Sequence, residues 1–429
     1  MKKKVASQSR KQESVAQLSL VMSMQQLVLP LVVGIESTKR GLLSFVHEMG
    51  MAALRELLEQ DAESIAGRKG KRNAQRTHHH WGTTCTQLPL GGRHVTVERP
   101  RVRRKGGGEA TLPMLAAFAA TDTLPERVME QILLGVSTRG YADSLEPVPD
   151  SVEVKGTSKS AASRALIAKT KQKLAQFATC SLSGVEIVAM FIDAIEIAGK
   201  ATILALGVKS DGTKIPLGLA LGSTENHVVA VDLLQSLITR GLNLDKPTLF
   251  VIDGGKGIRK ALNDVLGDRA VVQRCQVHKM RNVRDHLPEA RRAYVMRQLK
   301  QAYAASTVST AKKTLQQLIS WLESNGEDSA AASVREGLDE TLTVIKLGLP
   351  PTLRRTFATT NPIENMNGSV RRVIRNVKRW NGEAMVARWV ALGVANAARK
   401  FRRVKGHAQI PTLIAALRPT KLIAQSKVA

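Results

Sequence analysis

Two aspartates follow strongly apolar segments, and this placement points to a metal site. Asp193 follows residues 188–192 and Asp253 follows residues 249–252, and both segments have the composition of buried β-strands. A carboxylate at the end of a fully buried strand is costly unless a cation or hydrogen bonds compensate it. Because carboxylate oxygens prefer hard divalent cations, the pair predicts ligands for Mg²⁺ or Mn²⁺. A capping or turn aspartate is the alternative at each position.

A third acidic side chain, Glu364, lies in the polar motif NPIENMN at residues 361–367. Pro362 suits the first turn of a helix, and Arg371 and Arg372 follow on the same segment. A helix that presents one glutamate and then arginines suits a metal beside a phosphate. Three carboxylates can hold two divalent ions about 3.5–4 Å apart, which activate an attacking oxygen and stabilise a leaving one.

The elements that must position these carboxylates follow the order βββαβαβ. The predicted strands and helices lie at residues 186–192, 202–208, 215–221, 228–242 (helix), 248–252, 257–266 (helix) and 270–277. This order predicts an α/β fold with a ribonuclease H-like core, a mixed sheet of three antiparallel strands followed by parallel ones. Its first and fourth strands are neighbours, so Asp193 and Asp253 are expected to face one volume. A helix after the fifth strand must then supply the third carboxylate.

Seven segments describe the predicted organisation of the chain. They are an N-terminal arm with an amphipathic helix (1–65), a basic β-hairpin region (66–120), a helical, helix-turn-helix-like DNA-binding region (121–180), the first part of the core (181–283), an all-helical insertion (284–352), the last part of the core with Glu364 and a basic helix (353–405), and a C-terminal tail (406–429). The region before the core is predicted to be mainly helical and to bind DNA.

The charge balance predicts a polyanionic partner. The chain of 429 residues has 64 Lys+Arg against 36 Asp+Glu, a formal net charge of +28. Nucleic acid is the commonest such partner, and an anionic membrane surface is the alternative. Aromatic residues make up only 3% of the chain, which disfavours base stacking on single strands and favours double-stranded DNA. Candidate phosphate contacts are Arg101, Arg103, Lys159, Arg164, Arg371, Arg372, Arg375, Lys378 and Arg379.

Cysteine usage and the N-terminus favour a cytoplasmic protein. The three cysteines, Cys85, Cys180 and Cys275, fit no disulfide framework, which favours a reducing compartment. An apolar stretch at 18–35 contains polar residues and a proline, and it falls short of the roughly 20 apolar residues of a membrane span. The run His78–His80 has no partners at ligand spacing, so a polar loop is preferred over a metal site.

A second polar cluster, RCQVHKMRN at 274–282, follows the predicted fifth strand. Its Cys-x-x-His spacing resembles half of a zinc site, but no second half lies at the usual distance. A supporting role beside the carboxylates is the preferred interpretation, and a buried cysteine with a surface histidine is the alternative. Residues expected to support the carboxylates are Glu225, Cys275, His278, Arg281, Asn282 and Asn361.

At these positions the sequence resembles the bacterial Mutator-type insertion-sequence transposases, relatives of the eukaryotic Mutator-like elements. The landmarks run in family order across residues 120–405: FIDA (191–194), LG (217–218) with Gly222 and Glu225, RGL (240–242), DG (253–254) with GI (257–258), the Cys275–Asn282 block and TNPIE (360–364). The first hundred residues match poorly. Asn226 and the residues after it stand where many relatives carry an aromatic side chain.

The resemblance implies a DDE transposase whose catalytic triad is Asp193, Asp253 and Glu364, with two Mg²⁺ (or Mn²⁺) ions per active site. It implies a helical insertion in the 111 residues between 253 and 364, where Trp321 is offered to a flipped DNA base or, alternatively, packs in a helix core. It also implies that the N-terminal region recognises terminal inverted repeats, and that hydrolysis is followed by strand transfer.

Two other functions fit the same residues. A ribonuclease H-like nuclease would cut DNA without joining it, and a non-catalytic regulator would only bind DNA. Joining two element ends requires them to meet, so the transposase interpretation also predicts a homodimer or a higher oligomer on DNA.

Overall fold

A computed structural model describes residues 38, 41–71, 75–120, 122–149, 152–224 and 226–418. The chain divides into one unit up to Lys169 and a second from Thr170 onward. The predicted N-terminal arm and the apolar stretch at 18–35 lie outside the described residues. Among the residues that are described, no helix combines the length and apolar character needed to cross a membrane.

A long antiparallel hairpin forms the sheet of the first unit. Strands β1 (His78–Leu90) and β2 (Arg93–Arg104) pair across Gly91-Gly92, whose φ angles are 59° and 81°. Positive φ at both turn residues is a conformation that glycine adopts without steric cost, so the turn can be tight. The predicted hairpin is therefore confirmed. The run His78–His80 lies in β1, so the predicted polar loop is wrong.

Four helices lie before and after this hairpin along the chain. They are α1 (residues 41–66), α2 (Pro113–Ala119), α3 (Leu124–Leu133) and α4 (Lys159–Thr179), the last of which leads into the second unit. Leu58 of α1 is buried together with Val95 and Val97 of β2, which forms the small core of this unit.

The helix-turn-helix prediction is wrong in one respect. Helices α3 and α4 are both present where the sequence predicts helices, but residues 134–158 separate them. That connection contains strand β3 (Val154–Lys155), which pairs with β2. A helix-turn-helix motif has a turn of about three to four residues, so the two helices do not form one.

The second unit is built on a five-stranded mixed sheet. Its strands are β4 (Ile187–Ile197), β5 (Lys200–Lys209), β6 (Lys214–Gly222), β7 (Thr248–Ile252) and β8 (Ala270–Arg274). They lie in the order β6-β5-β4-β7-β8. Strands β4, β5 and β6 pair antiparallel with one another, and β4, β7 and β8 are parallel. The predicted order of strands and helices, βββαβαβ, is observed, and the fold is α/β.

Helices cover both faces of this sheet, which explains why its strands are continuous apolar runs. Helices α5 (His227–Thr239) and α6 (Lys256–Leu266) pack on one face, where Met190 and Phe250 are fully buried. Phe191 lies on the other face and stacks on Phe357 of a later helix at a centroid distance of 5.8 Å. The alternation of neighbouring residues between two cores is the two-residue period of a strand.

All regular structure after β8 in the described chain is helical. The helices are α7 (Gln276–Asp285), α8 (Glu289–Ala304), α9 (Val308–Ser324), α10 (Asp328–Arg335), α11 (Leu338–Thr341), α12 (Thr343–Lys346), α13 (Pro351–Phe357), α14 (Asn361–Ile374), α15 (Glu383–Ala398) and α16 (Ile410–Leu417). The segment predicted as a helical insertion is thus helical. Two buried hydrogen bonds attach it to the sheet, since Gln273 of β8 donates to the carbonyl of Thr341 and accepts from the backbone N–H of Val344.

Three element ends differ from the predictions. Strand β4 continues to Ile197 because it stays paired with β5, so Asp193 lies inside the strand and not after it. Strand β8 ends at Arg274 and α7 begins at Gln276, so the Cys-x-x-His cluster starts a helix. The predicted C-terminal tail contains the helix α16, and residues 419–429 lie outside the described part.

Candidate active site

The first two carboxylates lie side by side on neighbouring strands. Ile192 of β4 is in register with Ile252, the last residue of β7, and the two strands are parallel. Asp193 and Asp253 each follow one of these residues, so the two aspartates are neighbours at the point where β7 ends. Strand β4 continues past this point along β5, whereas β7 stops, so the sheet opens between them.

Asp193 is held in a buried, polar environment. Its side chain is on the face of β4 that also carries Phe191 and Ile195, and only 8% of the residue is exposed. Asn367 of α14 donates a hydrogen bond of 2.7 Å from its Nδ2 to Asp193 Oδ2. Burial, the negative charge of Asp253 and that of Glu364 together raise the pKa of Asp193 to about 7, although His278 opposes the rise.

Asp253 stands at the start of the connection to α6. Its Oδ1 accepts a 2.9 Å hydrogen bond from the backbone N–H of Gly255, so the loop itself orients the carboxylate. The side chain is half-buried. This arrangement leaves Asp253 a ligand that is fixed on one side.

Glu364 enters the site from the first turn of α14. Pro362 opens the helix, and the helix N-terminus favours a negative charge at this position, as the sequence predicts. The hydroxyl of Thr360 donates to Glu364 Oε1 at 2.6 Å, and His278 Nε2 lies 3.8 Å from the same oxygen. The Glu364 carboxylate therefore has two polar contacts within the protein, with the Thr360 hydroxyl and with the His278 ring.

Cys275 and His278 form the support of this helix start. Cys275 is fully buried, and its Sγ accepts hydrogen bonds from the backbone N–H groups of His278 (3.5 Å) and Thr360 (3.4 Å). Burial alone would raise the pKa of the thiol, but the hydrogen bonds from His278 and Thr360 outweigh it and lower the pKa. The contact with Cys275 and the nearby carboxylates of Glu364 and Asp253 raise the pKa of His278, although burial opposes this.

Cys275, His278 and Glu364 also place one possible metal-ligand atom each within 4.8 Å of one another. However, the Thr360 hydroxyl is already within hydrogen-bonding distance of all three. It lies 2.6 Å from Glu364 Oε1 and 3.4 Å from both Cys275 Sγ and His278 Nδ1. These contacts make Thr360, Cys275 and His278 a hydrogen-bonded support for Glu364.

The three carboxylates fit a divalent cation chemically. Asp193 is buried, its pKa is raised, and the charges that raise it come from Asp253 and Glu364. Such a cluster of negative groups is unfavourable without a cation, and its donors are all oxygens, the ligand type that Mg²⁺ and Mn²⁺ prefer. A two-metal centre needs oxygens spread over about 8 Å, which three separate elements can provide.

Three of the residues expected to support the carboxylates are exposed. Arg281 and Asn282 are exposed on α7, and Asn361 is exposed at the start of α14. Glu225 lies outside the described residues. Trp321 of α9 is half-buried, with its ring centroid 4.5 Å from that of Tyr294, as expected for the helix-core alternative.

The predicted phosphate contacts are mostly exposed. In the second unit these are Arg371, Arg372, Arg375, Lys378 and Arg379, which lie on and just after α14. In the first unit Lys159 and Arg164 are exposed on α4. Arg101 is paired with Glu109 at 3.1 Å, while the guanidinium of Arg103 lies 4.8 Å above the ring of the exposed Trp81.

Sequence reasoning missed two residues of the site, Thr360 and Asn367. Both belong to the polar segment around Glu364, and Asn367 follows Glu364 by three residues, which places the two side chains on neighbouring turns of one helix face. That spacing is the signal in the sequence. Their partners, Cys275 and Asp193, are distant in the chain, so only the fold reveals the contacts.

The protein family described as "Transposase, Mutator family" matches residues 24–404 of the chain. The transposase for insertion sequence element IS905 of Lactococcus lactis is 27% identical over 304 residues, which cover 69% of this chain and 74% of the relative. The transposase for insertion sequence element ISRM5 of Rhizobium meliloti is 27% identical over 343 residues, which cover 76% of this chain and 81% of the relative.

Proposed function

This chain belongs to the Mutator family of transposases, and we propose that it binds the terminal inverted repeats of a mobile element, hydrolyses phosphodiester bonds at the element ends and joins the 3′-hydroxyl ends to target DNA. The observation that carries the proposal is the cluster of Asp193, Asp253 and Glu364, which come from β4, the end of β7 and the start of α14. We further propose that the five-stranded sheet is a ribonuclease H-like core, which the strand order β6-β5-β4-β7-β8 supports.

In the proposed mechanism the three carboxylates hold two Mg²⁺ or Mn²⁺ ions. When bound, such ions activate the attacking oxygen and neutralise charge on the leaving oxygen. Asp193 within β4 and Asp253 just after β7 would supply oxygens from adjacent strands, and Glu364 would supply an oxygen from α14. The same pocket then serves two reactions in turn, attack by water and attack by the freed 3′-hydroxyl.

The basic surfaces would hold the DNA backbone on either side of this chemistry. Arg371 and Arg372 lie in the last turn of the helix that carries Glu364, and both are exposed. A phosphate bound by them would lie on the same helix as the proposed metal ligand. We propose double-stranded DNA as the partner, a homodimer or higher oligomer as the assembly that brings two ends together, and the cytoplasm as the compartment.

A salt titration tests this DNA surface. The double variant Arg371→Gln, Arg372→Gln is expected to weaken duplex binding for all sequences and to lower the slope of log affinity against log salt by about two, because each lost phosphate contact removes about one. Arg269→Gln is the matched control, since Arg269 is exposed but already paired with Asp245 at 3.1 Å. A slope equal to that of the unchanged protein would remove these two arginines from the DNA surface.

A strand-transfer assay separates the proposed function from its alternatives. The full chain is incubated with Mg²⁺, a target plasmid and labelled duplex that carries the ends of the adjacent element, either intact or already cut. Label joined covalently to the plasmid is the expected result, and it excludes a nuclease that only cuts. Cutting without joining favours the nuclease. Binding without either reaction, unchanged by Asp253→Asn, favours a regulator.

A further inference from the structure

Asn367 contacts Asp193 from the helix that also carries Glu364. It lies on α14, one turn after Glu364, and only 2% of its surface is exposed. Its Nδ2 donates to Asp193 Oδ2 at 2.7 Å, across a separation of 174 residues in the sequence. Its Oδ1 is buried as well and has no hydrogen-bond partner among the described residues. A buried polar side chain that satisfies only one of its groups is retained at a cost, which suggests that the bond to Asp193 matters.

The chemistry of an amide suits the positioning of a metal ligand. An Asn Nδ2 can only donate, so its bond fixes the plane of the Asp193 carboxylate and occupies one lone pair of Oδ2. It adds no positive charge, unlike an arginine or lysine, and so does not replace a cation electrostatically. The backbone N–H of Ala194 also donates to the Asp193 carboxylate, and the negative charges of Asp253 and Glu364 lie close enough to act on it.

Helix α14 is held firmly enough to transmit this constraint. Its Ile363, Met366 and Val370 are buried in the core that also contains Phe191 of β4. Helix α15 packs on it at Gly393, where an added Cβ would lie 2.8 Å from the Cα of Val370. Such a close approach of two backbones leaves α14 little freedom to slide, because close-packed interiors transmit displacements and do not absorb them.

We propose that Asn367 is a positioning residue for Asp193, so that one helix both supplies a metal ligand, Glu364, and orients a second ligand on the sheet. The inference rests on the proposed metal-binding role of Asp193. Without Asn367, the Asp193 carboxylate would rotate within a buried pocket and present its oxygens in the wrong directions. Outer partners that orient a metal ligand are typically worth about 10–100-fold in metal affinity.

The test is a titration of the full chain with MnCl₂ alone, followed by electron paramagnetic resonance, together with thermal melting in EDTA. Asn367→Ala is expected to weaken Mn²⁺ binding by about 10–100-fold. Asn367→Leu keeps most of the side-chain volume without the donor, so it gives the same answer if the cavity left by alanine prevents folding. Asn365→Ala, an exposed neighbour on the same helix, is the matched control and should bind Mn²⁺ like the unchanged protein.

A role in packing alone would lower the melting temperature of both variants in EDTA and leave Mn²⁺ affinity unchanged, and that result would overturn the proposal. Asp193→Asn separates this outcome from failure of the proposed function. If Asp193→Asn loses Mn²⁺ binding but the Asn367 variants do not, only the positioning role fails. If Asp193→Asn binds Mn²⁺ normally, the metal site itself is wrong, and both proposals fall.

Discussion

Replacing Asp253 by Asn is expected to reduce DNA cleavage and joining at least about a thousandfold while DNA affinity stays unchanged. The replacement keeps the size of the side chain and its bond from the Gly255 N–H, and it removes only the charge. Metal ions contribute several kcal/mol of transition-state stabilisation, and about 4 kcal/mol corresponds to a thousandfold in rate. The measurement is a cleavage time course on labelled duplex, paired with a binding titration in the absence of divalent metal.

Asp232→Asn provides the comparison for that experiment. Asp232 is exposed on α5, and its variant makes the same change from Asp to Asn. This variant should therefore cut and join DNA at the normal rate. Normal cleavage by Asp253→Asn would contradict the proposed active site. Loss of DNA binding in that variant would instead point to a folding defect, which melting in EDTA detects.

The second large effect concerns stability, and it runs opposite to activity. In the folded, metal-free protein the pKa of Asp193 is about 7, against 3.8 for the ordinary group, because burial and the charge of Asp253 favour the protonated form. The folded state therefore holds a proton that the unfolded state has lost, and the free energy of unfolding must fall as pH rises from about 4 to about 7. One pKa unit corresponds to 1.36 kcal/mol, so the loss is at most about 4 kcal/mol.

Asp193→Asn should remove this pH-dependent loss. The variant is expected to be inactive and yet more stable than the unchanged protein at pH 8 in EDTA, by a few kcal/mol, with little difference near pH 4. Chemical denaturation measures it in a Trp81→Phe background, where Trp321, Trp380 and Trp389 report on the second unit. Adding Mn²⁺ should raise the stability of the unchanged protein and not that of the variant. Equal stability at pH 8 would show that Asp193 carries no such strain.

The sequence was sufficient for those features that depend on local patterns. The strands β4 to β8 are predicted by their apolar runs, whose residues are mostly buried or half-buried in the sheet. The start of α14 was found from Pro362 and the acidic first turn. These are properties of neighbouring residues, which a single sequence records directly.

Features that depend on distant partners were not accessible. The end of β4 depends on pairing with β5 up to Lys200, and the apolar Val277 imitates a continuing strand although Cys275 caps a helix there. The bond from Asn367 to Asp193 joins residues that no local pattern connects. The supposed helix-turn-helix failed for the same reason, because β3 between its helices is defined only by pairing with β2.

The late position of α14 in the chain has a consequence for protein synthesis. Domains generally fold from the N-terminus as the ribosome releases them. The sheet that carries Asp193 and Asp253 is complete at Arg274, well before Glu364 and Asn367 are translated. A nascent chain can therefore fold its basic N-terminal unit while it still lacks part of the proposed active site, so translation would delay any cutting of nearby DNA. A copy of the gene with a premature stop codon before α14 would encode an inert protein that still has the first unit's basic surface.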